Sequence, residues 1–347
     1  MLLLDELRFI LGSLSRAQAS IAILDVFRRS DLRAFRRVFL DRPDLRLRPR
    51  PRDLLPRRRT MLLRRYVNVH DATGLDGDDF NELVARIGDR IAAPRSRGGV
   101  HGHRATATGL RTEDRLFLAL TFLRNNSFYH ELAREYQVSR SFISRDLRHI
   151  IPIICSALHN EITFPAGAPP VEVDLNVHGL IDCTAHWRQE VSPDGVGIDY
   201  SLFRSDVAMP SIGAQVVTSL EGVPWSVTLF SGHNNDQGIY RHSGMDAELE
   251  RRGLYLLCDL GYTADRLVRS DANWRHEDDE FFAAKHRAIR ATIERMFWFI
   301  ESWSVAGQVS RLPLIMHVYS LDAIWKLGTM LLKRHPLINA TDAVEVQ

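Results

Sequence analysis

Apolar positions along this chain change their period near residue 165. Before that point they recur at helical spacing. Residues 1–40 carry Leu7, Ile10, Leu11 and Leu14 on one helical face. Residues 78–92, DDFNELVARIGDRIA, predict a short helix with acidic residues in the first turn, where the helix dipole favours them. A longer helical block runs from Arg111 to about Leu158. The stretch TFPAGAPP, residues 163–170, then ends helical structure with Pro and Gly. Short apolar segments follow at 177–185, 212–220, 224–232 and 254–260, and these predict strands. EGVP joins the second to the third and reads as a hairpin turn. Long helical segments return at 280–304 and 312–333. A helical region followed by strands and then helices predicts an all-α part and a mixed α/β part. No internal repeat is evident.

Residues 41–60, DRPDLRLRPRPRDLLPRRRT, cannot form one helix because four prolines interrupt them. They read as an Arg/Pro-rich linker or arm: a solvated connector, a phosphate-binding arm or a nuclear import signal. Residues 61–110 form a helical and flexible region. Within it His101 and His103 lie in a glycine-rich, basic connector, and this HxH pair reads as loop ahead of metal site. The remaining divisions are 111–162, 171–336 and a tail at 337–347.

Composition narrows the class. With 45% hydrophobic residues in 347, the chain can bury a sizeable core. It has no apolar run of the roughly 18 residues that a membrane span needs. Its apolar start carries Asp5, Glu6 and Arg8, which suits an amphipathic helix better than a signal peptide. Three widely spaced cysteines, Cys155, Cys183 and Cys258, make no CxxC pair. Disulfide frameworks and zinc ribbons are therefore disfavoured, and a reducing compartment, nucleus or cytoplasm, is expected. Net charge is +2, yet the 45 basic residues comprise 42 arginines and only three lysines. Arginine suits bidentate phosphate recognition, although a codon bias would enrich it equally.

SFYHELAREYQVSRSFISRDLRHII, residues 127–151, has helix-turn-helix spacing. Leu132 and the small Ala133 belong to the first helix, Val138 to the turn, and Ser139 caps the second helix. Ile143, Leu147 and Ile150 form its apolar face. Ser139, Arg140, Ser141, Ser144, Arg145 and Arg148 remain as donors suited to phosphates and base edges. Gln137 stands in the turn where Gly is commonest, which predicts a wider turn. A plain helical hairpin is the alternative.

Most acidic residues are accounted for locally. Asp194 and Asp199 fit a glycine-containing turn. Asp182 and Asp259 do not, because each follows apolar residues of a predicted strand and sits beside a cysteine. In LYLLCDLGYT, Asp259 follows five apolar residues directly, and an unpaired buried carboxylate is costly. The cysteines are expected to point to the opposite, buried face. Glu294 adjoins the apolar stripe of Ile289, Ile293, Met296, Phe297 and Ile300, with Arg287 and Arg290 on its own face. Taken alone it would be an ion pair within the helix. Two strand carboxylates and one helix carboxylate can instead converge, and such a group needs cations. Mg²⁺ suits oxygen ligands, and a pair of ions can activate water at a phosphodiester.

The order of helix-turn-helix, IDCTAH, GHNNDQGIYRHSG, LLCDLGYTAD and RATIERMFWFIESW resembles the Harbinger superfamily of DDE transposases and transposase-derived nucleases. Spacings of 77 residues from Asp182 to Asp259 and 35 from Asp259 to Glu294 suit that family. The resemblance spans about residues 110–335. It implies an RNase H-like mixed sheet flanked by helices, preceded by an all-α helix-turn-helix domain. It also implies Asp182, Asp259 and Glu294 as catalytic metal ligands, with Mg²⁺, or Mn²⁺ in its place, as cofactor. Arg290 would brace the carboxylates or hold a phosphate. Asp236 matches a family position after the third strand, and its simplest role is to cap the helix beginning near Gln237. His186 falls one residue later than the family histidine, and Cys183 replaces a glycine. The expected partners are double-stranded DNA, a separate Myb-like protein and further copies of the chain in a homo-oligomer, without a membrane. A catalytically silent DNA-binding descendant is the main alternative, and an RNA-directed nuclease a lesser one.

Overall fold

The structure, a computed structural model, describes residues 68–92, 110–167, 169–189, 202–204, 209–269 and 277–337. The expectations for residues 1–60, for His101 and His103, for Asp194 and Asp199, and for residues 338–347 of the tail lie outside the described residues.

Five helices precede the sheet: α1 (Val69–Thr73), α2 (Gly77–Ala92), α3 (Thr112–Asn125), α4 (Tyr129–Glu135) and α5 (Arg140–Ala157). Phe80, Leu83, Ile87 and Ile91 of α2 recur at helical spacing, and all are buried. In α3 every residue from Leu116 to Leu123 is buried, so this helix is the centre of the bundle. The α4–α5 turn departs from the expected wide form. Gln137 adopts the left-handed conformation at φ 53°, and the Val138 amide bonds back to the Ala133 carbonyl at 2.9 Å. The closing bond holds Gln137 in the backbone region where glycine is usual. Ser139 caps α5 as expected, accepting from the Phe142 amide at 3.1 Å.

Beyond residue 170 come β1 (Gly179–Trp187), β2 (Phe203–Arg204), β3 (Met209–Ser219) and β4 (Pro224–Ser231). They are followed by α6 (Asp236–Ser243), α7 (Met245–Arg252), β5 (Leu256–Cys258) and β6 (Leu267–Arg269). The chain closes with α8 (Glu277–Glu301), α9 (Ser304–Gly307) and α10 (Leu314–Arg334). β1 and β4 run antiparallel to β3, and β2 also pairs with β3. β1, β5 and β6 run parallel. This mixed six-stranded sheet flanked by helices, behind a helical region, is the RNase H-like arrangement. At the β3–β4 turn Gly222 has φ +84°, and a Cβ there would come within 3.1 Å of the Thr292 methyl on α8. The hairpin therefore approaches that helix closely, at a residue free to take positive φ.

Alternation along β1 divides the core. Leu180 joins a cluster with Ile293, Met296 and Ile300 of α8, while Ile181 joins Tyr240, Met245 and Leu249 of α6 and α7. The first cluster continues without a break into α2, α3 and α5. The Cys155 thiol donates to the Tyr319 carbonyl at 3.2 Å, and Lys326 donates to the Cys155 carbonyl at 3.1 Å. The helix-turn-helix segment and the helices covering the sheet thus share one core. Among the described residues no helix is long and apolar enough to cross a membrane.

Candidate active site

Asp182 is the fourth residue of β1, and Asp259 follows the last residue of β5. The parallel register pairs Gly179 with Leu256 and Leu180 with Leu257. Two residues further on, both aspartates lie at the same level and on the same face. LYLLCDLGYT is not a long strand carrying a buried charge. Pairing lasts only from Leu256 to Cys258, and the Asp259 side chain is 44% exposed in the turn beyond. Its carboxylate accepts from the Leu260 amide at 2.5 Å. Asp182 is the buried member, at 13% exposure, and accepts from the Cys183 amide at 2.8 Å.

Helix α8 crosses both strands and brings Arg290 between the aspartates. Its guanidinium lies 3.5 Å from Asp182, 3.3 Å from Asp259 and 3.4 Å from Glu294, one helical turn on. The three carboxylates singled out from the sequence therefore surround one cation. Burial raises the Asp182 carboxyl to about 6, and the nearby charges of Asp236 and Asp259 act in the same direction. The Cys183 amide and Arg290 oppose the rise. One guanidinium among three carboxylates leaves an excess of negative charge. Hard oxygen donors with such an excess fit a divalent cation.

Asp236 does not cap α6. Asn235 does so, accepting from the Gly238 amide at 2.7 Å, and Asp236 is the first helical residue. Freed from capping, Asp236 lies close enough for its charge to raise both Asp182 and Cys183. Asn and Asp are near-equal capping residues, so their adjacency hid which of the two would cap. Cys183 lies within 3.2 Å of the Tyr262 hydroxyl, and burial pushes its thiol up. Cys258 is buried, its thiol pushed up to about 12 by desolvation. Both cysteines are packing residues.

His186 takes no part in the carboxylate group. It is fully buried, its Nδ1 within 3.0 Å of the Ala306 carbonyl, and its Nε2 accepts from the Trp325 indole at 3.2 Å. Burial lowers it to about 4, which keeps the ring neutral. His286, by contrast, was not foreseen. It is buried one turn before Arg290, and burial lowers its affinity for a proton. Its position four residues before Arg290 on α8 was the available signal.

Among the described residues, the group whose ligand atoms, one from each residue, all lie within 4.8 Å of one another is Asp76, Asp79 and His335; the carboxylates around Arg290 are spread more widely. It could hold a metal ion. It sits where α2 begins and α10 ends, and Asp79 there also pairs with Arg334.

Of the six residues expected to meet DNA, Ser139, Arg140, Ser141 and Arg145 are exposed, while Ser144 and Arg148 are half-buried. The Ser139 hydroxyl is committed to the cap, and Arg145 also donates to the Ser141 carbonyl at 3.0 Å. Arg140 lines a cleft of about 360 Å³ with Phe128, Tyr129, His130 and Arg311. The Arg311 guanidinium stacks over the Phe128 ring at 4.3 Å.

The mixed sheet flanked by helices, behind a helical region, is consistent with an RNase H-like DDE fold. Residues 181–332 match the family described as DDE superfamily endonuclease. The match contains Asp182, Asp236, Asp259, Arg290 and Glu294. Comparisons with curated proteins and with solved structures return no match.

Proposed function

We propose that this chain is a metal-dependent DNA endonuclease of transposase type. Three carboxylates from β1, the end of β5 and α8 converge on one guanidinium, and that convergence carries the proposal. Asp182, Asp259 and Glu294 would hold Mg²⁺ or Mn²⁺, which when bound activates an attacking water and stabilises the leaving oxygen of a phosphodiester. Asp182 is fixed by the Cys183 amide and by its place in a paired strand, so its carboxylate is preorganised. Asp259 and Glu294 are more exposed and face arriving substrate. Asp236 adds negative charge behind Asp182.

DNA would be held by Arg140, Ser141 and Arg145 of α5, with Ser144 and Arg148 behind them. These residues position the duplex mainly through phosphates. Partners carried by the same proposal are double-stranded DNA, a Myb-like DNA-binding protein and further copies of the chain, with the nucleus as the place of action.

A catalytically silent DNA-binding protein is the rival, favoured by the guanidinium lying among the carboxylates. Nicking of duplex DNA in Mg²⁺ separates the two. Cleavage by the wild type and its loss in Asp182→Asn support the endonuclease. Equal cleavage by both proteins removes the carboxylates from the chemistry.

A further inference from the structure

We propose that Arg290 is an internal counter-ion that competes with metal for the carboxylate group and must leave it when metal binds. The inference rests on the metal-site reading above and goes beyond it. Arg290 meets Asp182, Asp259 and Glu294 at 3.5, 3.3 and 3.4 Å, without one short bond to any of them. A guanidinium committed to structure behaves differently in this same chain. Arg115 grips Asp146 through contacts of 2.6 to 3.1 Å and donates to the Ile91 carbonyl at 2.8 Å. Arg290 is instead shared among three acceptors, held by charge more than by geometry.

Its surroundings allow it to move. The Arg290 side chain is 27% exposed, and Glu294, on the solvent side, is 62% exposed. The oxygens it touches are the oxygens a divalent cation would take, so the two cannot both lie between them. Without a cation of some kind, Asp182 would be a nearly buried carboxylate facing two others. Arg290 therefore keeps the metal-free site folded and lowers its apparent metal affinity. Once displaced, its fork of donors is free for a phosphate of the bound DNA. Metal and DNA binding are then coupled, each favouring the state in which Arg290 has left the carboxylates.

The test is Mn²⁺ affinity, measured by calorimetry on the full chain without DNA. Wild type, Arg290→Gln, Arg290→Lys and Asp259→Asn are compared. Arg290→Gln should bind Mn²⁺ about tenfold more tightly than wild type, and it should gain more in melting temperature from the metal. Arg290→Lys keeps the charge without the fork and should fall between the two, which keeps the test open if the Gln variant folds poorly. Equal or weaker binding by both Arg290 variants overturns the inference, provided Asp259→Asn weakens binding. If Asp259→Asn binds like wild type, the metal-site reading itself fails, and this inference with it.

Discussion

Among the arginines that meet carboxylates in this chain, Arg115 and Arg290 do so in opposite ways. Arg115 closes on Asp146 in a two-pronged grip beneath α5, and the Asp146 side chain is fully buried. Arg290 stands among three carboxylates from β1, the end of β5 and α8, at longer and nearly equal distances. The first pair has satisfied geometry and ties α3 to α5. The second group has an excess of like charge and open access to solvent. Tight pairing is what a fold needs, and unfinished pairing is what a site for cations and phosphates needs.

The comparison breaks most sharply on activity. On the proposed function, in which Asp259 holds metal, Asp259→Asn should reduce Mg²⁺-dependent nicking by at least about 10³-fold. Circular dichroism should show the fold retained. Arg115→Ala should do the reverse to the molecule. It leaves Asp146 buried without its partner, which costs about 3–5 kcal/mol in urea unfolding.

A third, pH-dependent effect concerns the buried histidines, which belong to neither group. Burial lowers His186 to about 4 and His317 to about 3, so the folded chain keeps both neutral. In the unfolded chain they take up protons near their ordinary value of 6.5. Stability is then full above about pH 6.5 and falls as pH drops towards 4, by roughly 3 kcal/mol for His186. His186→Phe should lose stability at pH 7, with its indole and carbonyl partners unmet, yet show a flatter profile between pH 6.5 and 4.

Smaller effects sharpen the contrast. Arg140→Ala should weaken duplex binding by about 1 kcal/mol and lower the salt slope by about one. Asp182→Asn, deadly to nicking, should leave the fold as stable at pH 7 or more stable, read by urea unfolding. It relieves a carboxylate that the fold already holds at a raised pKa.

How much was legible in the sequence depended on the kind of interaction. Helical spacing revealed α2, the block holding α3 to α5, α8 and α10, and a short apolar run placed Asp182 on a strand. Asp182 and Asp259 stood out because carboxylates rarely follow apolar runs. Glu294 was legible only in combination, since an Arg four residues earlier is equally an ordinary helix pair. Short elements escaped. β2 and β6 have two and three residues, too few for a period. The apolar run 254–260 reads as a longer strand than β5, because Leu254 and Tyr255 precede the paired register and Asp259 turns away from it. In sequence Asn235 and Asp236 offer the same capping chemistry, and only the backbone decides between them. Gln137 showed that a strained turn residue is tolerated where a hydrogen bond closes the turn.

The central claim is that cations bind among Asp182, Asp259 and Glu294. Anomalous scattering from a crystal grown with Mn²⁺ locates the ion directly. The account predicts density bounded by those three carboxylates, with the Arg290 guanidinium turned away. Mn²⁺ found only at Asp76, Asp79 and His335, with Arg290 still among the carboxylates, would contradict it.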